Sequence, residues 1–361
     1  HKTSEIDLTA VRSFLSEPFP LYNVESKTEV PEAVDCVLDA SAYQGEISNI
    51  LEKIEGNPYT SQEQFLRSAE LLFHELPRDV RVAVSDFRRK GNLDGVMLVR
   101  GLPIDIDLPP TPVDIHENRK STSTSEALLA AFGMALGDPM TYSQQHDGKL
   151  FHTIVPIKKD ADEQSFSGSS VLLEFHTEIT FHPFTPHFLQ LYCLRQDHHK
   201  VAKTLFAPVR RIINNMPLNM RSILFEERFE TRIDYSWNPT QKENSPGRKC
   251  ALLYGSVYDP FLNYDIDLMK GLDDQAQAAL ETMAESANEK WNYVRLQPGD
   301  LLIIDNRRSI HGRSSYEPLY DGKDRWLQRL YVVRDLAMCS EERYRSERVI
   351  DTKFGSVSAG V

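Results

Sequence analysis

Apolar residues at helical spacing mark two segments before residue 140. Residues 61–76 carry apolar side chains three or four positions apart, and Pro77 ends the pattern. The spaced residues are Phe65, Ala69, Leu72 and Phe73. Residues 127–136 are small or apolar throughout; Ser123 and Glu126 before them have the spacing of a capping box, and Gly137 follows. The pattern predicts a supporting helix over 61–76 and an apolar helix over 127–136.

From about residue 150 the pattern changes to short β-rich runs separated by turns such as 298–300. These runs are 151–157, 171–178, 188–194, 301–305 and 330–333. An earlier strand is predicted over 96–99, before Gly101, and helices are expected near 217–227 and 273–290. Many short strands with loops between them favour a sandwich or barrel of the jelly-roll kind. The expected fold class is mainly β with flanking helices.

The length of the chain, 361 residues of which 40% are hydrophobic, allows one large domain with its own core. We expect a single domain over 1–361. Within it, residues 1–90 would form an N-terminal helical or mixed support, 91–335 a jelly-roll core with helical insertions, and 336–361 a C-terminal extension. The last residues, 354–361, are small and polar enough to form a mobile tail.

Charge and composition exclude several classes of protein. The chain has 41 basic and 53 acidic residues and a net charge of −12, which argues against nucleic-acid binding because phosphate affinity needs clustered Lys and Arg. The longest small or apolar run, 127–136, is about half of what spans a bilayer. The chain shows no apolar signal region near its start, and its four cysteines (Cys36, Cys193, Cys250, Cys339) are far apart. We expect a cytoplasmic protein with reduced cysteines that handles small molecules and contacts no membrane.

A candidate metal site follows the apolar run 171–173. Side chains i and i+2 of an extended chain share a face, so His176 and Glu178 would point together, as two ligands of one cation must. Chance alone produces roughly one or two His-x-acid triplets in such a chain, and a lone His beside an apolar run is more often structural. His311, six residues after the run 301–305, adds a second imidazole. Two imidazoles and one carboxylate form the facial triad of non-haem Fe(II) oxygenases.

Two arginines downstream favour an anionic ligand. Arg325 and Arg329 are four residues apart, so on an extended strand both guanidinium groups lie on one face. Two inward-facing arginines are costly unless each meets a carboxylate. Arg325 would therefore hold an anionic cosubstrate.

Several longer segments resemble the clavaminate synthase-like family of Fe(II)/2-oxoglutarate-dependent oxygenases. They are 172–178, 253–255, 259–262, 298–303 and 321–327. Residues 304–313 look especially like the hydroxylases of free L-arginine and L-lysine in that family. The resemblance covers roughly 90–335 and implies a double-stranded β-helix core, Fe(II), 2-oxoglutarate and O2 as cofactor and cosubstrates, and a free amino acid or a small derivative as substrate. The single domain would then be an oxygenase domain with 91–335 as its catalytic core.

The resemblance also implies roles for individual residues. It makes His176, Glu178 and His311 the iron ligands. Arg325 matches the position that binds the distal carboxylate of 2-oxoglutarate, and the Thr204 hydroxyl matches its usual companion. A planar guanidinium suits a carboxylate, which is why Arg and not Lys is expected there.

At the substrate, Arg329 matches the position that binds the α-carboxylate of the amino acid. Gln145 and Ser167 fall where the family lines the amino-acid end of the pocket.

Three acidic residues bear on the identity of the substrate. Asp265 and Asp267 match the position at which arginine-type members hold a guanidinium, and Asp234 is a third acid for the same end. The alternative is that the Asp-x-Asp pair belongs to a solvated acidic loop. Two adjacent carboxylates repel each other unless a cation lies between them. We therefore expect hydroxylation of a free basic L-amino acid at C3 or C4, with lysine favoured over arginine and asparagine disfavoured.

Three other functions remain open from the sequence. Desaturation or ring closure, as in clavaminate synthase, differs only in the fate of the substrate radical. A zinc hydrolase can also use two His and one Glu around an activated water. The third is a cupin-like binding protein without turnover. The last two predict no succinate from 2-oxoglutarate, and the zinc hydrolase also leaves Arg325 and Arg329 unexplained.

Overall fold

The computed structural model describes residues 37–238, 243–339 and 348–354. These ranges contain seven α-helices. In chain order they are α1 (Gln44–Leu51), α2 (Gln62–Phe73), α3 (Arg78–Lys90), α4 (Thr124–Leu136), α5 (Val209–Ile213), α6 (Leu218–Leu224) and α7 (Asp274–Glu289). No helix of the described ranges is both long and apolar enough to cross a membrane.

The same ranges contain seventeen short strands. They are β1 (Val37–Asp39), β2 (Val96–Arg100), β3 (Asp138–Tyr142), β4 (His152–Ile154), β5 (Leu173–His176), β6 (Phe188–Arg195), β7 (Thr204–Pro208), β8 (Phe229–Thr231), β9 (Lys249–Cys250), β10 (Leu253–Gly255), β11 (Pro260–Leu262), β12 (Met269–Gly271), β13 (Asn292–Val294), β14 (Leu301–Asp305), β15 (Ser309–Arg313), β16 (Trp326–Val333) and β17 (Val349–Ile350). The described structure is thus mainly β with flanking helices, as predicted.

The larger sheet has eight strands. Seven follow the order β1-β2-β14-β6-β16-β3-β17, and β4 also pairs with β16. The outer pairs β1–β2 and β3–β17 are parallel, and the others are antiparallel. Its outer face packs against α1 to α4, with Tyr192, Ile303 and Leu330 buried among helix residues such as Phe65 and Phe132.

The smaller sheet has four antiparallel strands in the order β13-β7-β15-β5. Phe206 points from it into a core shared with Leu302 and Tyr331 of the larger sheet. Its neighbours Leu205 and Ala207 face the opposite side, where α5, α6 and α7 pack. This alternation along β7 follows from the two-residue period of a strand. The two sheets therefore face each other between two layers of helices.

The predicted elements mostly agree with the observed ones. The run 301–305 is β14, 188–194 lies within β6, and 330–333 is the second half of the longer β16. The runs 151–157 and 171–178 contain the shorter β4 and β5. The helices predicted over 61–76, 127–136, 217–227 and 273–290 correspond to α2, α4, α6 and α7.

The predicted capping box at the start of α4 is wrong. Ser123 makes no side-chain capping bond. The Asp105 carboxylate instead accepts hydrogen bonds from the backbone N–H groups of Thr124 at 3.0 Å and Ser125 at 3.2 Å. Glu126, the other half of the expected box, forms a buried ion pair with Lys120. Sequence spacing could not find this cap because Asp105 lies about twenty residues upstream.

Parts of the predicted domain organisation lie outside the described residues. These are 1–36 of the N-terminal support, 340–347 of the C-terminal extension and 355–361 of the predicted tail. Residues 37–90 contribute β1 and three helices to the outer layer of the larger sheet. Phe354, the first residue of the predicted tail, packs edge-on against Phe181 and Trp237. Cys193, Cys250 and Cys339 are buried, and Cys36 lies outside the described residues.

Candidate active site

A cavity of about 680 Å³ opens between the two sheets. The larger sheet lines it with Leu189, Leu191, Leu327 and Arg329, and the smaller sheet with His176, Thr204, His311 and Arg313. All the residues assigned to the site from the sequence line this cavity: Gln145, Ser167, His176, Glu178, Thr204, Asp234, Asp265, Asp267, His311, Arg325 and Arg329. The fold thus brings together residues that are up to 184 positions apart, from Gln145 to Arg329.

The predicted metal ligands converge at one end of β5. His176 and His311 lie directly opposite each other in the antiparallel pair β5–β15. Their Nε2 atoms are 3.3 and 3.2 Å from Oε2 of Glu178. One ligand atom from each residue lies within 4.8 Å of the other two. Two imidazole nitrogens and one carboxylate oxygen are a donor set that suits Fe(II).

Neighbouring groups fix the orientation of His176 and Glu178. Nδ1 of His176 is 2.8 Å from the backbone oxygen of Glu174, so Nδ1 carries a proton, and Nε2, which faces Glu178, is the nitrogen that would bind a metal once its own proton is lost. Oε1 of Glu178 accepts hydrogen bonds from Arg329 Nη1 at 2.9 Å and from the Tyr331 hydroxyl. Asn306 accepts from the backbone N–H of Glu178 at 2.7 Å. Glu178 therefore presents only Oε2 to the two imidazoles.

The electrostatics of the triad favour an ionised carboxylate. Burial alone would raise the pKa of Glu178, but Arg329 and the hydrogen bonds from both histidines hold that pKa well below its usual range. Burial and the nearby His176 lower the pKa of His311. Burial also favours neutral His176, but Glu178 raises its pKa to about 9. A metal ion that binds there therefore displaces a proton.

Arg325 and Thr204 meet at another part of the cavity wall. Arg325 Nη2 donates to Thr204 Oγ1 at 3.3 Å, and both residues are buried. The guanidinium lies 5.8 Å from the centre of the Tyr316 ring. Arg325 forms no ion pair with any residue that the structure describes. A buried, unneutralised guanidinium beside a hydroxyl is suited to bind a carboxylate.

Arg329 is held by two neighbours. Besides its contact with Glu178, its Nε and Nη2 atoms lie 3.3 and 3.2 Å from Nδ1 of His152. The rings of Tyr331 and Phe166 flank the guanidinium, with centroids 4.6 and 5.4 Å away. A guanidinium has five N–H groups. These contacts use three of them, and the other two can donate to a carboxylate.

Gln145 and Ser167 differ in what they offer to a ligand. Oε1 of Gln145 is buried and has no hydrogen-bond partner among the described residues. The Ser167 hydroxyl donates to Asp160 Oδ2 at 2.7 Å and lies 3.1 Å from the Ser165 hydroxyl. Gln145 therefore supplies an open acceptor, whereas the hydroxyl hydrogen of Ser167 is already engaged.

Several acidic residues lie near His176 in the cavity. Asp265 is half-buried and forms a β-bridge with His176, and its Oδ1 accepts from the backbone N–H groups of Asp267 and Leu268. Burial, and to a smaller extent Asp267, raise the pKa of Asp265 to about 6, although the nearby His176 acts to lower it. Burial and Asp267 also raise the pKa of Glu174. The negative charges of Asp265 and Asp267 therefore repel each other at this end of the cavity, and His176 offsets part of that repulsion.

Asp267 and Asp234 lie at the rim of the same end. Asp267 is exposed. Oδ1 of Asp234 accepts from the backbone N–H of Ser236 at 2.8 Å, as the cap of a short 3-10 turn. Asp234 therefore has a local structural role in addition to its place on the cavity wall.

Sequence reasoning missed several residues of the site. Tyr331, Asn306 and His152 support the ligands and Arg329. Arg313 is buried on the cavity wall, two residues after His311 on β15, where burial lowers its pKa to about 10. Only for Arg313 did the sequence carry a signal, because residues i and i+2 of a strand share a face. The other contacts depend on how β4, β16 and the loop after β14 meet.

One other group of residues in the described ranges has donor atoms close enough for a metal ion: His198, Asp321 and Asp324. Nε2 of His198 lies 3.0 Å from both carboxylate oxygens of Asp321, and Nδ1 lies 3.5 Å from Asp324. Each ring nitrogen thus faces a different carboxylate, so the group is arranged as an ion-pair network rather than around one centre.

The sequence is similar to a known protein family and to individual named proteins. The family model described as "Taurine catabolism dioxygenase TauD, TfdA family" matches residues 86–331. Clavaminate synthase 2 of Streptomyces clavuligerus is 33% identical over 302 residues, 83% of this chain and 92% of that protein. L-lysine 3-hydroxylase of Catenulispora acidiphila is 29% identical over 350 residues, 93% of this chain and 96% of that protein.

Solved structures are similar over most of the chain. An asparagine oxygenase in complex with Fe(II), 2S,3S-3-hydroxyasparagine and succinate has a TM-score of 0.80 and 30% identity, covering 88% of this chain and 99% of that one. The non-haem iron oxygenase OrfP, in complex with Fe, succinate and (3S)-hydroxy-L-Arg, has a TM-score of 0.76 and 27% identity, covering 87% of this chain and 99% of that one.

Proposed function

The chain belongs to the TauD/TfdA family of dioxygenases, and from that premise we propose that it hydroxylates a free basic L-amino acid at C3 or C4, lysine in preference to arginine. The predicted resemblance and the double-stranded β-helix fold are confirmed. The protein is an Fe(II)- and 2-oxoglutarate-dependent amino-acid oxygenase. Within it, we propose that 91–335 form the catalytic core of a single oxygenase domain, with 1–90 as support and 336–361 as an extension.

The metal ligands that we propose are His176, Glu178 and His311. Their donor set, the orientation of His176 Nε2 toward Glu178 and the single available oxygen of Glu178 would all suit one Fe(II) ion that also binds cosubstrates. When bound, iron with 2-oxoglutarate and O2 supplies an oxidant that converts a C–H bond to C–OH while 2-oxoglutarate becomes succinate and CO2. The chain itself binds the reactants, orients one C–H bond and excludes water.

We assign the distal carboxylate of 2-oxoglutarate to Arg325 and Thr204. The assignment is supported by the buried guanidinium that has no carboxylate partner among the described residues, and by the hydroxyl 3.3 Å from it. An anion in this position neutralises a charge that would otherwise be buried alone.

The α-groups of the amino acid have matching partners nearby. Arg329 keeps two N–H groups for an α-carboxylate, and Gln145 has a buried oxygen ready to accept from an α-ammonium. A cation and a neutral acceptor that line one cavity suit the zwitterionic end of a free amino acid rather than a peptide.

The main support for a basic amino acid as substrate is the environment of the Asp265 carboxylate. This half-buried carboxylate has a raised pKa because burial, and to a smaller extent Asp267, disfavour its ionised form by more than the nearby His176 favours it. In the described part of the chain, neither it nor Asp267 or Glu174 forms an ion pair with a basic side chain. A cationic side chain of the substrate would relieve this repulsion, whereas a neutral one would leave the carboxylates unpaired.

Lysine and arginine both satisfy this requirement. We favour lysine because residues 259–261 and 267–271 look more like those of the lysine hydroxylases. The TM-score of 0.80 with an asparagine oxygenase favours asparagine as a rival substrate. The 33% identity to clavaminate synthase 2 favours desaturation or ring closure as a rival outcome.

The test is an incubation with Fe(II), 2-oxoglutarate and single amino acids, followed by succinate and mass spectrometry. The panel is the twenty common amino acids with ornithine, citrulline and homoarginine. We expect succinate to rise most with a basic amino acid and the product to be heavier by one oxygen atom. Best turnover of asparagine would contradict the substrate class, and loss of two hydrogens without gain of oxygen would indicate desaturation. No succinate with any amino acid would agree with a zinc hydrolase or a binding protein and would refute the proposal.

A further inference from the structure

We infer that His152 is a positioning residue for substrate binding: its Nδ1 accepts hydrogen bonds from Arg329 and thereby orients the guanidinium toward the α-carboxylate of the amino acid. The inference rests on the proposed role of Arg329. It adds a residue from β4, which the sequence analysis did not assign to the site.

The geometry of the contact is well defined. His152 on β4 lies directly opposite Arg329 on β16 in the antiparallel register. Nε and Nη2 of Arg329 lie 3.3 and 3.2 Å from the same nitrogen, Nδ1 of His152. Both residues are buried, His152 completely. His152 thus binds one edge of the guanidinium, while Glu178 binds Nη1 at 2.9 Å. The two contacts fix the plane of the group.

The contacts of its two ring nitrogens determine the tautomer of His152. Nε2 of His152 is 3.0 Å from the Thr141 hydroxyl. Because Arg329 is a donor only, Nδ1 must carry the lone pair, so Nε2 carries the proton and donates to Thr141. The ring of His146 stacks on His152 with centroids 4.2 Å apart and planes 6° apart. The imidazole is therefore held at both nitrogens and on one face.

An uncharged histidine at position 152 orients Arg329 without adding negative charge beside its guanidinium. Burial, then the nearby His146 and Arg329, hold the pKa of His152 well below its usual range, so the ring stays uncharged. A carboxylate at this position would also orient the guanidinium, but it would add a second negative charge to that of Glu178 and weaken the attraction for the substrate carboxylate. An aliphatic residue would leave two buried N–H groups of Arg329 without an acceptor.

The test compares three variants of the full chain. His152→Gln keeps an amide that can accept from Arg329 and donate to Thr141, whereas His152→Leu removes both functions at similar size. His182→Leu is the matched control, because His182 is also completely buried and accepts from the backbone of Phe184 without contacting Arg329. For each variant the apparent KM values for amino acid and for 2-oxoglutarate are measured, using whichever amino acid the wild type turns over best.

We expect His152→Leu to raise the KM for the amino acid about tenfold, since a hydrogen bond to a charged group is lost. The KM for 2-oxoglutarate is expected to change much less, because Arg325 and Thr204, the residues proposed to bind it, are not substituted. His152→Gln recovers most of the loss, and His182→Leu shows no change in either KM. If His152→Leu raises both KM values equally, or if His152→Leu and His152→Gln have the same KM for the amino acid, His152 has only a packing role.

A second measurement does not depend on turnover. In 15N-labelled protein, the spectrum is expected to show His152 as the neutral tautomer with the proton on Nε2, and the Arg329 Nε–H signal is expected to shift in His152→Gln. The inference would be overturned if His152 is protonated, or if the Arg329 Nε–H signal does not shift in His152→Gln. This outcome can be read even if His152→Leu does not fold. If the wild type turns over no amino acid, the proposed function fails, whereas the contact between His152 and Arg329 is still decided by the spectrum.

Discussion

The acidic end of the cavity gives the sharpest test of substrate choice. We consider Asp265→Asn and Asp267→Asn, separately and together. Each substitution keeps the size of the side chain and removes its negative charge. The expected result is a fall in kcat/KM for lysine or arginine without a matching fall for asparagine, because only a cationic side chain gains from the carboxylates.

The two substitutions differ in expected size. Asp265 is half-buried, and a charge-assisted hydrogen bond in such a place contributes about 1.5–3 kcal/mol, or roughly a ten- to hundredfold change in kcat/KM. Asp267 is exposed, so solvent screens its charge and its loss costs about 0.2–1 kcal/mol. Because the two carboxylates interact, the double variant is not expected to show the sum of both effects.

The assay is a competition between the basic amino acid and asparagine in one reaction, with both products measured by mass spectrometry. Glu285→Gln is the control, because it removes one exposed negative charge that does not line the cavity. The control is expected to keep the wild-type product ratio. If Asp265→Asn also keeps it, the carboxylate does not contact the substrate side chain and the Asp-x-Asp pair is a solvated loop.

Three further predictions concern other parts of the structure. Arg325→Lys should raise the KM for 2-oxoglutarate and Arg329→Lys that for the amino acid, since a point charge cannot replace a planar fork; the reverse pattern would exchange the two assignments. Tyr331→Phe removes the hydroxyl that donates to Glu178 and should weaken Fe(II) binding about 10- to 100-fold in an anaerobic titration; unchanged affinity would show that this hydrogen bond does not support the ligand. Lys120→Met leaves two buried carboxylates without their cation and should lower the free energy of unfolding by about 3–5 kcal/mol in chemical denaturation; an unchanged midpoint would contradict this ion-pair account.

The sequence was most informative where one local pattern determines the structure. The apolar run of β14 has the same bounds in the sequence and in the structure, because a strand buried on both faces needs no alternation. His176 and Glu178 could be paired from their spacing alone. Adding His311 and Arg325 to the site required either the resemblance or the fold, because their approach depends on strand register far along the chain.

Contacts between distant segments were not predictable in this way. The cap of α4 comes from Asp105 and not from Ser123, since a carboxylate from another loop reaches the same backbone groups. Likewise, nothing near His152 in the sequence indicates that it lies beside Arg329, because the contact arises from pairing of β4 with β16. Such side chains lie in the site only because of tertiary structure.

The most direct test of the central claim is the ratio of products in a single reaction. Protein, Fe(II), 2-oxoglutarate and lysine are incubated under 18O2, and succinate and amino-acid product are quantified together, with His311→Ala as the control that lacks one proposed ligand. The account predicts equal amounts of succinate and singly hydroxylated lysine, with the label in the new hydroxyl group, and neither product from the folded control variant. Succinate without a hydroxylated basic amino acid, when arginine and ornithine are also tried, would contradict it, and so would full activity of His311→Ala.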